Sequence, residues 1–133
     1  QMCIRDRYTI VRMMRMIAEI VCPGVLLLGE VVMEPEKVVP YFGTVEKPEC
    51  HMFYNVTTMA TTWNSIATGD IRLLKKQMDI VNQLPKQYVF LNYLRCHDDI
   101  GWGLDYETMR PWGIKEIPHK RYLNDYFTGK SRI

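Results

Sequence analysis

No C-x-x-C pair, glycine-rich phosphate loop, nucleophile elbow, internal repeat or low-complexity run occurs in these 133 residues. Each absence removes a class of function. Cys3, Cys22, Cys50 and Cys96 have neither zinc-ligand spacing nor the regular framework of a disulfide scaffold, and are read as reduced, packed thiols. Without a phosphate-cradling or elbow signature, nothing points to a nucleotide or to an activated serine. Charge of one sign is also lacking: 17 Lys and Arg against 15 Asp and Glu leave a net +2, so nucleic acid is not an expected partner. No apolar run reaches the length of a membrane span and no secretory pattern opens the chain, so no membrane is expected and the cytoplasm is the default location. Asn55-Val56-Thr57 matches a glycosylation sequon, but without an export signal it is read as chance.

What is present reads as alternating helices and strands. The first six residues, Gln1 to Asp6, resemble an in-frame translation of a transposon adapter end used in preparing sequencing libraries, and are set apart from fold reasoning. Ile10, Met13, Met14, Ile17, Ile20 and Val21 recur at helical spacing, which predicts an amphipathic helix from Tyr8 to Val21, ended by Cys22-Pro23-Gly24. A short buried strand is expected over Val25 to Leu28, delivering Gly29 and Glu30, then a long loop, a second strand within Cys50 to Asn55, and a helix over Thr57 to Ala67. Gly69-Asp70 precedes a clearer helix with Ile71, Leu74, Met78 and Val81 on its apolar stripe and Lys75-Lys76 on its solvated face. Helix and strand in alternation argue for crossover units and a parallel α/β sheet.

The chemistry gathers in Gln87 to Trp102. Its apolar half, Val89 to Leu94, reads as a strand covered on both faces, and Arg95, His97, Asp98 and Asp99 follow at the carboxyl end, where parallel folds place ligands. Three readings are open. Glu30 and Asp98 could face one another as a carboxylate pair, Glu30 partly desolvated and so able to keep a proton, Asp98 ionised beside His97 and Arg95. His97, Asp98 and Asp99, with His51 or His119, could hold a metal, although three adjacent residues rarely converge on one ion. Cys96 could be a nucleophile, but His97 points to the opposite face of a strand. The plainer reading makes Glu30 solvated and His97-Asp98-Asp99 a turn, with Trp63, Trp102 and Trp112 as packing.

Three blocks in order favour the first reading. Leu26-Leu27-Leu28-Gly29-Glu30 with Glu34 to Gly43, Tyr54-Asn55-Val56-Thr57, and Leu91-Asn92-Tyr93-Leu94-Arg95-Cys96-His97-Asp98-Asp99-Ile100-Gly101-Trp102 together resemble the alpha-amylase superfamily, glycoside hydrolase family 13, and its amylosucrase-like members above all. The resemblance runs from about Arg7 to the C-terminus. It implies a partial (β/α)₈ TIM barrel, with the visible strands standing for the fifth, sixth and seventh. It places the general acid/base on Glu30, the transition-state-stabilising aspartate on Asp98, and substrate-binding roles on His97 and Asp99, the last without a firm task.

The resemblance further implies an α-glucan or sucrose substrate and no cofactor, with a structural calcium in the intact parent left open. The family's nucleophile, in an Arg-x-Asp pattern, has no match here, and a whole barrel takes about 250 residues. The expectation is therefore a fragment, residues 7–133, of a retaining hydrolase or sucrose-acting transglucosylase, inactive alone and poorly soluble because its strand edges are unpaired. The rival is a non-catalytic sugar-binding or interaction protein on the same scaffold.

Overall fold

The computed structural model describes residues 2–95 and 103–130. Its elements run in the order α1 (Met2–Val21), β1 (Leu28–Gly29), α2 (Pro35–Val38), β2 (Met52–Tyr54), α3 (Val56–Thr68), α4 (Arg72–Gln83), β3 (Val89–Leu91), α5 (Tyr106–Met109) and α6 (Glu116–Phe127). A 3₁₀ turn at Val39–Phe42 extends α2, so the expected long loop carries its own helical structure. The strands form one parallel sheet in the order β1-β2-β3, registered Leu28 to Met52 and Gly29 to Phe53, then Met52 to Val89 and Tyr54 to Leu91. The fold is α/β, and helical crossovers join the parallel neighbours as that topology requires.

The first strand lies further along than Val25 to Leu28. Val25 closes a turn onto the Cys22 carbonyl, and His51 and Met52 donate their backbone N–H groups to the Leu27 carbonyl, so pairing begins there. Side chains alternate across the sheet. On one face Gly29, Phe53 and Phe90 meet Val38, Tyr41, Phe42 and Tyr88; Phe53 is 1% exposed, its ring 4.8 Å from that of Phe42. On the other face Leu28 and Val89 are exposed. The expectation of a strand covered on both faces is therefore corrected: among the described residues one face is packed and the other is open.

A second core lies between α3, α4 and the C-terminal helices, where Ala60, Ala67, Leu73, Leu104, Met109 and Leu123 are buried together. The threonines of α3 fit because Thr61 and Thr62 donate their hydroxyls to carbonyls one turn back, at 2.7 Å each. Gly69 ends that helix with φ +68, a left-handed cap that glycine adopts without a Cβ clash.

Helix α4 does not bury the predicted stripe. Leu73 and Gln77 are its buried residues, whereas Ile71 and Met78 are exposed. The face that meets α3 is set by Leu73, and an apolar-only pattern discards Gln77. Lys76 does not stay free in solvent either, since its Nζ donates to the Thr108 hydroxyl. Trp63 and Trp112 pack as expected: Trp63 donates Nε1–H to the Leu94 carbonyl at 2.7 Å and meets Phe127 edge-on, and Arg72 stacks on Trp112.

Helix α1 reverses the amphipathic expectation. Ile10, Met13, Met14, Met16, Ile17, Ile20 and Val21 are exposed, and the side carrying Arg7, Arg12 and Arg15 faces the body. Arg7 donates to the Tyr41 hydroxyl at 2.8 Å, Arg12 to Glu49 at 2.9 Å, and Arg15 to the Glu49 carbonyl at 3.0 Å. Glu49 is 2% exposed. Burial raises its carboxyl above the ordinary value, and the Arg12 guanidinium opposes that rise only in part. No described element covers the apolar stripe of α1.

A Cβ built on Gly29 would lie 2.1 Å from Phe53 Cε1. Gly29→Ala is therefore expected to lose about 1–3 kcal/mol of stability by overpacking. Urea unfolding of the variant beside the parent chain measures it, and an unchanged midpoint would contradict the close approach.

Candidate active site

The carboxyl ends of the three strands present Glu30 after β1, Asn55 after β2 and Asn92 after β3. Glu30 is exposed, followed by a half-buried Val31 and an exposed Val32, so the partial desolvation expected around it is not supplied by these neighbours. It caps no helix. The residue before α2 is Glu34, whose side chain makes no capping bond. His97, Asp98 and Asp99, like Cys96, lie outside the described residues. Of the four candidate site residues, Glu30 is therefore the one whose surroundings are described.

The histidines proposed as additional metal ligands are engaged elsewhere. His51 Nδ1 accepts the Leu27 backbone N–H at 3.0 Å, which leaves Nε2 to face Glu19 at 3.5 Å. His119 Nδ1 lies 3.1 Å from the Tyr106 hydroxyl; burial holds this histidine below its ordinary pKa and pushes Tyr106 up to about 12. Among the described residues no group of three or more metal-capable side chains comes together. Burial, with the Glu49 carboxylate adding to it, also pushes the Cys50 thiol up, which keeps it protonated and unreactive.

One polar link at the strand ends was not legible as such. Asn55 is buried and donates Nδ2–H to Asn92 Oδ1 at 3.0 Å, while its backbone N–H reaches the Leu91 carbonyl at 2.9 Å. Its Oδ1 accepts from the Thr58 backbone N–H and the Thr57 hydroxyl. The sequon-like triplet is thus a helix N-cap that also ties β2 to the segment leaving β3. The signal was an Asn directly before an apolar helical stretch. A side chain so enclosed is no acceptor for a glycan.

Beyond the strand ends a cleft of about 350 Å³ opens between the β1–α2 connection, the start of α3, α4 and residues 103–105. At its rim the hydrogen bond from Lys37 Nζ, 2.9 Å away, holds the Glu34 carboxyl below its ordinary value. For Asp105 burial pushes upward, but Thr108 outweighs it, donating its backbone N–H at 3.0 Å and its hydroxyl to the two carboxylate oxygens; the carboxyl lies below its ordinary value.

The chain is 26% identical over 94 residues to the glucosylglycerate phosphorylase of Spirochaeta thermophila, a match covering 71% of this chain and 16% of that protein. It is 31% identical over 78 residues to the trehalose synthase of Thermus thermophilus, covering 59% of this chain and 8% of that protein. Both are glycoside-active enzymes of the alpha-amylase family. This chain is a distant, partial relative of them, and it spans only that small share of their length. No family model matches. No helix among the described residues is long and apolar enough to cross a membrane.

Asn55→Ala removes a cap and an inter-strand bond together, and about 1–2 kcal/mol of stability is expected to go with them. Amide exchange should quicken at Thr58, whose N–H loses its side-chain acceptor, before it does at Leu73. Uniform quickening, or none, would show that Asn55 does not tie the strand ends.

Proposed function

We propose that this chain is the part of an alpha-amylase-family enzyme that carries its general acid/base, and that the parent protein cleaves an α-glucosidic bond with retention. One observation carries the reading. Glu30 stands exposed at the carboxyl end of a parallel strand, in the first of the motif blocks, and alternation from Leu28 places it on the face of the sheet that nothing described covers. In a barrel that face is the interior and that edge is the ligand edge. The similarity to two glycoside-active enzymes supports the same reading from a separate direction.

In this role the Glu30 carboxylic acid protonates the departing glycosidic oxygen, and the resulting carboxylate then takes a proton from the incoming acceptor. Asp98 binds sugar hydroxyls in the distorted ring and stabilises the positive charge that grows on it, with His97 and Asp99 as further contacts. Asn55 and Asn92 tie the carboxyl ends of β2 and β3 to one another. The nucleophile is not among these 133 residues, since no Arg-x-Asp occurs. Whether the acceptor is water, phosphate or another sugar is set by groups beyond this chain, and the two relatives themselves bear the names of a phosphorylase and a synthase.

The whole protein is expected to turn over sucrose or an α-glucan, releasing glucose or lengthening added glycogen, and product analysis with and without glycogen and phosphate separates these outcomes. No turnover of any α-glucoside under these conditions would leave the non-catalytic sugar-binding reading standing instead.

A further inference from the structure

Another cavity, of about 500 Å³, opens at the opposite end of the sheet, between α1, the 3₁₀ turn after α2 and the residues that lead into β2 and β3. Its volume falls in the range of small-ligand sites. Donors are left over there, and among the described residues no carboxylate lines it. Arg15 gives its Nε–H to Glu19 at 2.7 Å and an Nη1–H to the Glu49 carbonyl at 3.0 Å, bonds in which Nη2 takes no part. His51 Nδ1 accepts the Leu27 N–H, which puts the proton of the neutral ring on Nε2, and the 3.5 Å from Nε2 to Glu19 is long for a hydrogen bond. Both side chains keep 19% of their surface exposed, and no nitrogen of either is enclosed without a partner, so the spare donors are within reach. Thr44 Oγ1 accepts the Lys47 N–H and still has its own proton to give, and Gln87 is exposed on the same wall.

Two rings complete the cavity. Phe42 and Tyr88 lie with centroids 4.9 Å apart and planes inclined by 43°, Phe42 buried beneath and Tyr88 half-buried, so Tyr88 supplies the accessible apolar face. The surroundings are positive: α1 brings Arg7, Arg12 and Arg15 to this side of the body against the carboxyls of Glu19 and Glu49. Unused donors at one end, a ring at the other and an excess of cations suit an anion with a flat apolar body.

We propose that this cavity binds a small aromatic carboxylate, with the anionic end on Arg15 and His51 and the ring against Tyr88. The site lies at the amino ends of the strands, whereas Glu30, Asn55 and Asn92 lie at the carboxyl ends, so it does not depend on the catalytic reading of Glu30. Arg15 belongs to α1 and Tyr88 to the lead into β3, so a bound ligand clamps that helix to the sheet.

The test is a titration of the ¹⁵N-labelled 133-residue chain with 2-naphthoate, with its neutral counterpart 2-naphthylmethanol and with inorganic phosphate, followed by amide shifts. Saturable shifts from 2-naphthoate are expected at Thr44, His51 and Tyr88, with the alcohol and phosphate each binding about tenfold more weakly or worse. Arg15→Gln should weaken 2-naphthoate about tenfold or more. Because Arg15 also holds α1 to the body, Glu19→Gln serves as an independent variant. The half-exposed carboxylate that it removes competes for Arg15 and His51, so binding should tighten about threefold, which a merely structural role for these side chains would not produce. Shifts that never saturate, the alcohol or phosphate binding as tightly as 2-naphthoate, or an affinity that Glu19→Gln leaves unchanged or weakened would each overturn the proposal.

Discussion

The ring of Phe53 lies over the backbone of Gly29, and the register of the sheet depends on that contact. A side chain at position 29 would meet the ring at 2.1 Å, so the first strand can approach β2 this closely only because it has none there. From Phe53 the packing spreads to Phe42, Tyr41 and Phe90, which fixes the 3₁₀ turn after α2 on one side and β3 on the other. With β1 placed, Glu30 follows at the strand's carboxyl end. The position of the candidate acid is thus a consequence of an apolar contact one residue before it.

The opposite face obeys no such constraint. Leu28 and Val89 are exposed there, and α1 adds a second uncovered stripe from Ile10 to Val21. Apolar side chains exposed along a sheet face and a helix are surface that a neighbouring element could cover. Helix α1 reaches the body instead through Arg7, Arg12 and Arg15. Its hold on Glu49 is a half-buried ion pair, with the carboxylate enclosed and the Arg12 side chain partly exposed, so losing Arg12 would leave the enclosed carboxyl without that partner. An apolar stripe facing out and an arginine row facing in are the arrangement of a helix with neighbours on both sides.

Much of this was legible in the residues. Helix positions, the proline and glycine stops and the α/β alternation were plain because each rests on local chemistry, whereas the three motif blocks were read through a resemblance. The failures have physical causes. The α4 stripe was misread because Gln77 is polar and buried, while Ile71 and Met78 are apolar and exposed. Asn55-Val56-Thr57 reads as a chance sequon in the sequence because a helix cap that also ties two strands leaves the same three letters. The first strand was drawn from its apolar run, whereas pairing partners decide where a strand begins. At the candidate site Glu30 was found at its strand end but without the apolar shield expected of it, and His97, Asp98 and Asp99 lie outside the described residues.

The central proposal is that the exposed Glu30 carboxyl moves the proton in glycosidic cleavage. The most direct test compares Glu30→Gln with the parent in the whole enzyme on two substrates, an ordinary α-glucoside whose alcohol must be protonated to leave and α-glucosyl fluoride, whose fluoride leaves without that help. The account predicts a loss of about a hundredfold or more in the cleavage step on the first and a far smaller loss on the second. Equal losses on both substrates, or no loss on either, would contradict it.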